Sequence, residues 1–167
     1  MTIQFARADN DTCGDATGAV VVIDVIRAFT TAAFAFAASA PEILLVSTVE
    51  QAFALRERFP HSLVMGEVGG LPPPGFDMGN SPSALLGRDL AGRRLIQRTS
   101  AGTQGVVRSQ RAEILLASSF VCAQATAQYI LRQQPTQVTF VVTGAYRDGD
   151  GDEDADVVAG VDGDIAN

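Results

Sequence analysis

Short apolar runs of strand type alternate with helical segments along most of this chain, and this alternation constrains the fold more than any other feature. The first run, residues 18–24, is rich in β-branched side chains and is typical of a strand buried on both faces. Helical spacing follows from Phe29 to Ala37 and stops at Pro41. The pattern predicts an α/β fold with three α/β/α layers and a largely parallel or mixed central sheet.

The same alternation continues to residue 142 and predicts a single domain over residues 1–167. Residues 1–17 are polar and rich in turn formers, and they are predicted to form a loop or an irregular edge. Ser47 or Thr48 can cap the second helix. The last predicted helix places Val121, Ala125 and Tyr129 on one face. The further predicted strands are 42–46, 62–65, 94–97, 113–117 and 137–142, and the further helices begin near 48, 102 and 121.

The composition of the chain excludes several classes of site. All 12 basic residues are Arg, so the chain has neither a P-loop lysine nor a Schiff-base lysine. The single histidine, His61, excludes metal sites built from several His ligands. Cys13 and Cys122 give no disulfide framework, and neither begins the Cys-x₅-Arg signature of a covalent phosphatase.

The net charge of −7 is concentrated at the C-terminal end, where eight of the 19 acidic residues follow Arg147. The rest of the chain is nearly neutral, which predicts no binding to nucleic acid. The longest weakly apolar stretch, 28–40, is shorter than the ~20 residues that a membrane span needs. With no signal peptide visible, we expect a cytoplasmic protein that does not bind membranes and whose thiols are reduced.

The acidic segment that begins at Asp148 resembles a calcium-binding loop only superficially. As an EF-hand loop it has Glu153 where Gly is required and Ala159 where a bidentate Glu is required. A solvated acidic turn is the alternative for most of its residues, although one or two carboxylates could complete a metal site.

An acid and an arginine follow the first predicted strand. Asp24 could hold a divalent cation, and Arg27 could bind phosphate or carboxylate through two hydrogen bonds. Ligands in open α/β sheets bind beyond the carboxyl ends of the strands, which is where these two residues lie. An Asp24–Arg27 ion pair without function is an equally good interpretation of the residues alone.

The segment 66–82 contains five Gly and four Pro and cannot be regular structure. Loops of this length inside a compact domain are usually functional or disordered. Glycines let backbone N–H groups approach an anion, and Ser81-Pro82 fits the start of a helix. A turn-rich connection with a helix cap is the alternative. The candidate residues of the loop are Glu67, Gly69, Gly70, Asn80 and Ser81.

Hydroxyl side chains and a glycine stand between the strand near 94–97 and the next helix. They could form a phosphate-binding turn at the helix start, although Ser and Thr are also ordinary helix caps. The candidate residues of this turn are Thr99, Ser100, Gly102 and Thr103.

In their order and spacing, these motifs resemble those of the 2-phosphosulfolactate phosphatase family. The family patterns are I-D-V-L-R-A-T-T-T, G-E-x-x-G, G-F-D-x-G-N-S-P, T-T-T-N-G-T and G-S-F-x-N-A, and a Glu-Asp pair follows. This chain matches them at 22–31, 66–70, 75–82, 98–103, 118–123 and 153–154. It departs from them at Ala101 and Cys122, which replace Asn, and at Ser118, which replaces Gly.

The resemblance implies a Mg²⁺-dependent phosphatase that hydrolyses 2-phospho-3-sulfolactate, a small anionic substrate, on the way to coenzyme M. It implies catalytic roles for Asp24, Arg27 and Glu67, with Mg²⁺ held by Asp24, Glu67 and Asp154. Whether Asp24 is a metal ligand or a covalent nucleophile stays open, as does Ser100 as the nucleophile. Family members are longer, so the acidic end from about residue 148 is expected to be truncated.

Two other functions are compatible with these residues. The departures at Ala101 and Cys122 suggest a non-catalytic protein that kept a small-anion pocket on the same fold. An interaction module that binds partners through its acidic tail is a further alternative. A homodimer is one assembly that the sequence permits.

Overall fold

The computed structural model describes residues 2–144 and 159–162. The strands of this part are β1 (Gln4–Ala8), β2 (Ala19–Ile23), β3 (Glu42–Val46), β4 (Leu63–Gly66), β5 (Met78–Gly79), β6 (Leu95–Arg98), β7 (Ile114–Ser118), β8 (Gln137–Val142) and β9 (Ala159–Asp162). The helices are α1 (Ala28–Ala37), α2 (Val49–Arg58), α3 (Gly102–Arg108) and α4 (Ala123–Gln133). Single 3₁₀ turns occur at Cys13–Asp15, Pro82–Leu85 and Phe120–Cys122.

The described strands form two hydrogen-bonded sheets. The first has the order β1-β8-β2-β7, and all its pairs are parallel. The second has the order β5-β4-β6-β3-β9, and only β9 runs antiparallel to its neighbour. The prediction of an α/β fold with largely parallel strands is confirmed. Because parallel strands share a direction, the carboxyl ends of each sheet lie along one edge.

Apolar side chains fill both faces of the sheets. The largest cluster joins alternate residues of β2 and β3 with Phe29 and Ala35 of α1. The opposite face of β3 packs with Ala52 of α2, and the opposite face of β2 packs with Ile130 of α4. This two-sided burial explains why the strand sequences are continuous apolar runs rather than alternating ones.

Strand β1 lies where the sequence predicts a loop or an irregular edge, and that prediction is wrong for residues 4–8. The strand is at the edge of its sheet and its first four residues are exposed, so its burial does not require an apolar alternation that the sequence could show. Its clearest side-chain contact is the stacking of Phe5 on Phe140, with ring centroids 6.0 Å apart.

The helical face predicted for the segment near 121 is also wrong. The chain there begins as a 3₁₀ turn, and α4 starts only at Ala123. Val121 and Tyr129 are exposed, and Ile130 is the residue that α4 buries against the sheet. Within the described part of the chain, no helix combines the length and the apolar character that a membrane span requires.

Candidate functional site

The carboxyl ends of the two sheets meet beside the start of α3. Asp24 directly follows β2 of the first sheet, and Glu67 directly follows β4 of the second. The two carboxylates are close enough for the charge of Glu67 to contribute to a raised pKa of Asp24. Strand ends of this kind are the usual ligand sites of α/β proteins, so this junction is the candidate functional site.

The Asp24 side chain is buried against the first residues of two helices. Its Oδ1 accepts a hydrogen bond from the backbone N–H of Ala28, with an N···O distance of 3.0 Å. Burial raises the pKa of Asp24 most, and the negative charge of Glu67 raises it further. Backbone N–H groups of Ala28 and Gly102 oppose this by stabilising the carboxylate. The pKa of Asp24 is therefore raised above the ordinary value of an aspartate.

Gly102 lets α3 start directly against this carboxylate. A Cβ at this position would lie 2.7 Å from Asp24 Oδ2 and 2.6 Å from the Cβ of Ala28. Both distances are shorter than real Cβ contacts allow, so any side chain would push α3 away from Asp24. This is the role that the structure gives to the glycine of the predicted 98–103 turn.

Glu67 is also buried, and both of its carboxylate oxygens accept hydrogen bonds. Oε1 accepts from the backbone N–H of Ser100 at 2.7 Å. Oε2 accepts from the Ser100 hydroxyl at 3.0 Å and from the N–H of Gly70 at 2.7 Å. The N–H of Gly69 donates to Ser100 Oγ at 3.0 Å. The N–H of Gly70 is therefore engaged within its own loop, and the N–H of Gly69 is engaged by the turn that follows β6.

The hydroxyls of Thr99 and Thr103 bond to each other's backbone. The N–H of Thr99 donates to Thr103 Oγ1 at 2.9 Å, and the N–H of Thr103 donates to Thr99 Oγ1 at 3.0 Å. Both threonines are almost completely buried. Gln104 adds hydrogen bonds from Nε2 to the carbonyl oxygens of Ser47 and Thr99. These contacts fix the turn between β6 and α3.

Arg27 is exposed between Asp24 and α1, and its peptide bond with Ile26 is cis. In residues 2–144 and 159–162 its side chain has no hydrogen-bond or ion-pair partner, and an Asp24–Arg27 ion pair is not formed. The guanidinium is therefore available to an anion that reaches this edge of the sheets.

Asn80 lies beside Glu67 because β5 and β4 are parallel and pair Gly79 with Gly66. Its side chain is 7% exposed, and its Oδ1 has no hydrogen-bond partner within the described part of the chain. Ser81 precedes the 3₁₀ turn that Pro82 begins, and its hydroxyl lies 3.0 Å from Ser83 Oγ. The predicted loop thus brings Glu67 and Asn80 together at one edge.

A sequence model of the 2-phosphosulpholactate phosphatase family matches residues 6–161 of this chain. The chain belongs to that family. Three relatives, each named a probable 2-phosphosulfolactate phosphatase, show the same. The Bacillus subtilis protein is 37% identical over 132 residues, which cover 79% of this chain and 58% of the relative. The Carboxydothermus hydrogenoformans protein is 44% identical over 114 residues, covering 68% and 47%. The Deinococcus radiodurans protein is 42% identical over 125 residues, covering 74% and 52%.

This member of the 2-phosphosulpholactate phosphatase family spans about half the length of the curated relatives that it matches. Two residues that differ from the family motifs, Ala101 and Cys122, make hydrogen bonds in the structure. The carbonyl of Ala101 accepts a hydrogen bond from Asn10 Nδ2 at 3.2 Å. Cys122 Sγ accepts one from the N–H of Ser119 at 3.2 Å. Both positions therefore make hydrogen bonds without the amide side chains of the family motifs.

Two residues of the site have no counterpart among the predicted candidates. Arg98 is buried at the end of β6 and donates to backbone carbonyls of two neighbouring strand ends. Asn10 donates to the carbonyl of Ala101, at the start of α3. An arginine directly after an apolar strand is the only sequence signal that could have indicated Arg98. Nothing in the sequence indicates Asn10, whose partner is 91 residues away.

The described residues do not place two further carboxylates, Asp77 and Asp154, at the site. Asp77 lies in the predicted loop, but its Oδ2 accepts the N–H of Val64 and pairs with Arg56. It therefore ties the loop to β4 and α2. Asp154, the predicted third metal ligand, lies outside the described residues.

Proposed function

We propose that this chain is a Mg²⁺-dependent phosphatase. Its substrate would be the phosphate ester of a small 2-hydroxy acid, such as 2-phospho-3-sulfolactate or a related compound. The observation that carries this proposal is the buried pair of carboxylates, Asp24 and Glu67, which two different sheets bring to one edge. The names of the relatives, probable 2-phosphosulfolactate phosphatases, support the same activity.

The chemistry of the pair suits Mg²⁺. The charge of Glu67 raises the pKa of Asp24, so the two ionised groups repel each other, and a divalent cation held by both would offset that repulsion. Mg²⁺ is commonly bound by one or two carboxylates and keeps several water ligands. Residues 2–144 and 159–162 contain no cluster of three or more His, Cys, Asp or Glu side chains. Water, substrate oxygens or Asp154 would therefore complete the ligand set.

The metal site, Arg27 and Asn80 would each have a separate task in this reaction. Bound Mg²⁺ would supply electrostatic stabilisation of the phosphoryl group and a bound water of lowered pKa. The exposed guanidinium of Arg27 would bind phosphate or carboxylate oxygens through paired hydrogen bonds. The amide oxygen of Asn80, which is buried and has no hydrogen-bond partner among the described residues, would accept a hydrogen bond from a bound water.

The environment of Ser100 favours a supporting role over nucleophilic attack. Its Oγ accepts hydrogen bonds from Gly69 and Arg98 and donates its proton to Glu67. A hydroxyl has two acceptor lone pairs, and both are engaged in this arrangement. Asp24 stays the stronger candidate for either a metal ligand or a covalent nucleophile.

Phosphate release from a panel of 2-phospho-hydroxy acids tests the proposal. The panel contains 2-phospho-3-sulfolactate, 2-phospholactate and 2-phosphoglycerate, each with Mg²⁺ and with EDTA. We expect release only with Mg²⁺, and we expect Asp24→Asn to abolish it. Glu113→Gln is the matched control, because Glu113 is an exposed carboxylate at the opposite end of the first sheet.

Two results would contradict this function. Equal rates in EDTA would remove the metal from the mechanism. Substrate-dependent thermal stabilisation without phosphate release would instead support the non-catalytic small-anion-binding protein. The homodimer, the cytoplasmic location and the lack of nucleic-acid binding stay predictions.

A further inference from the structure

Arg98 is a buried arginine at the centre of the second sheet's carboxyl edge. Its Nε donates to the carbonyl of Ser47 at 3.0 Å, and its Nη1 donates to the carbonyl of Glu67 at 3.1 Å. Burying a guanidinium is costly unless polar groups surround it. The backbone carbonyls that accept from Arg98 supply such polar groups.

The contacts of Arg98 join three adjacent strands. Ser47 follows β3, Glu67 follows β4, and Arg98 itself ends β6, which lies between them. The planar guanidinium presents several N–H donors in a fixed fork, so one side chain can hold carbonyls on both sides. A lysine has a single nitrogen and cannot reproduce this geometry. Arg98 therefore fixes the position at which the Glu67 loop leaves β4.

Arg98 also constrains the direction of the Ser100 hydroxyl. Its Nη1 lies 3.4 Å from Ser100 Oγ, which also accepts the N–H of Gly69 at 3.0 Å. With two donors directed at its oxygen, the hydroxyl has its own proton left to donate. That proton points to Glu67 Oε2, which is 3.0 Å from Ser100 Oγ.

We propose that Arg98 is a positioning residue of this site, which holds the Glu67 loop and directs the Ser100 proton onto the Glu67 carboxylate. This inference rests on the proposed function for its kinetic consequence but not for its structural one. The carboxylate would be held in one orientation toward the substrate, so Arg98 would act through Glu67 and would not touch the reacting atoms.

Arg98→Met and Arg98→Lys test the kinetic consequence. Because a displacement of about 1 Å can cost on the order of 100-fold in rate, we expect Arg98→Met to lower kcat by about 100-fold with little change in KM. Arg98→Lys keeps the charge but loses the fork, so its kcat should be only partly restored. The matched control is Arg94→Met, at the opposite end of the β6 segment, where Arg94 pairs with Glu42.

Amide hydrogen exchange tests the structural consequence without any turnover. The N–H groups of Gly69, Gly70 and Ser100 all donate to Ser100 Oγ or to Glu67. In Arg98→Met we expect their exchange to accelerate by about 10-fold or more, while the amides of β2 keep wild-type protection. If Arg98→Met does not fold, the same comparison is made with Arg98→Lys.

The two measurements separate this inference from the proposed function. Loss of loop protection in a protein that hydrolyses no member of the panel would leave the role of Arg98 standing and the phosphatase proposal refuted. Exchange and kcat in the Arg98 variants equal to those in Arg94→Met would overturn the role of Arg98. A uniform acceleration across β2 and the loop would also overturn it, because it would show a general loss of stability.

Discussion

Gly66 lies where β4 approaches β6 so closely that no side chain fits. A Cβ at this position would lie 1.7 Å from the carbonyl oxygen of Arg98, and the φ angle of +136° is one that L residues rarely adopt. The same carbonyl accepts the N–H of Glu67 at 2.9 Å. The glycine of the family motif is therefore required for packing, and through that packing it places the Glu67 carboxylate.

Gly66→Ala should destabilise the protein strongly, because the backbone of two strands must separate to admit the methyl group. We expect a loss of more than about 3 kcal/mol in the free energy of unfolding, or no soluble protein at all. The control is Gly87→Ala, which has a φ of +73° but no atom within 4 Å of the added Cβ. That variant should lose only about 1 kcal/mol in urea unfolding. If both variants lost the same free energy of unfolding, the positive φ angle alone, and not the close contact at Gly66, would account for the loss.

The raised pKa of Asp24 predicts a pH dependence of stability with a defined sign. Burial and the charge of Glu67 both favour the protonated carboxyl in the folded state. Between the ordinary pKa of an aspartate and the raised folded value, the folded state binds more protons than the unfolded state. Stability must therefore fall as pH rises through that window.

Comparison of the wild type with Asp24→Asn isolates this effect, since other titrating groups are common to both. The wild type should lose free energy of unfolding relative to the variant as pH rises from about 4, by about 1.4 kcal/mol per unit of pKa elevation. Urea unfolding between pH 4 and pH 8 measures it. A difference that is independent of pH would contradict the environment described for Asp24.

Among the elements, the segment that joins β3 to α2 shows how strongly local sequence can specify structure. The Thr48 side chain accepts the N–H of Gln51, and the Gln51 side chain returns to the N–H of Thr48. Both halves of this capping box lie within four residues. The sequence accordingly predicted the bounds of β3 and the start of α2 closely.

Thr48→Ala should lower the free energy of unfolding by about 1 kcal/mol, the usual effect of removing a helix N-cap. Thr48→Ser keeps the hydroxyl and serves as the control, with stability close to that of the wild type. Thermal or urea unfolding measures both. If the two variants lost the same stability, the methyl group of Thr48 rather than the cap would be responsible.

Elements whose determinants are distant in sequence were not predictable in this way. The exposed strand β1 pairs with β8, which lies more than 120 residues along the chain. Arg98 reaches carbonyls 51 and 31 residues away, and backbone carbonyls carry no signal of residue type. Asp24 and Glu67 could be predicted as partners from their local motifs and the family resemblance, but their origin in two different sheets could not.

At the scale of the whole molecule, the candidate site depends on both sheets at once. Asp24 comes from the first sheet, and Glu67, Asn80 and Arg98 come from the second. The apolar cluster that contains residues of β2 and β3 holds the two sheets together. A ligand bound by residues of both sheets would therefore stabilise the folded chain as a whole, and not one loop alone.

Added Mg²⁺ with inorganic phosphate should raise the melting temperature of this chain. A ligand at about 100 times its Kd adds about 2.7 kcal/mol to the free energy of unfolding, provided it does not bind the unfolded chain. Phosphate alone should give a smaller shift, because the two carboxylates repel an anion that brings no cation.

Asp24→Asn and Arg27→Met should remove this shift by different routes, since the first loses a carboxylate and the second loses a guanidinium. Asp24→Asn should therefore lose the part of the shift that depends on Mg²⁺, whereas Arg27→Met should lose the part that depends on phosphate. Glu113→Gln should retain both. If Asp24→Asn kept the full shift with Mg²⁺, the cation would bind elsewhere, and the junction of the two sheets would not be a magnesium site.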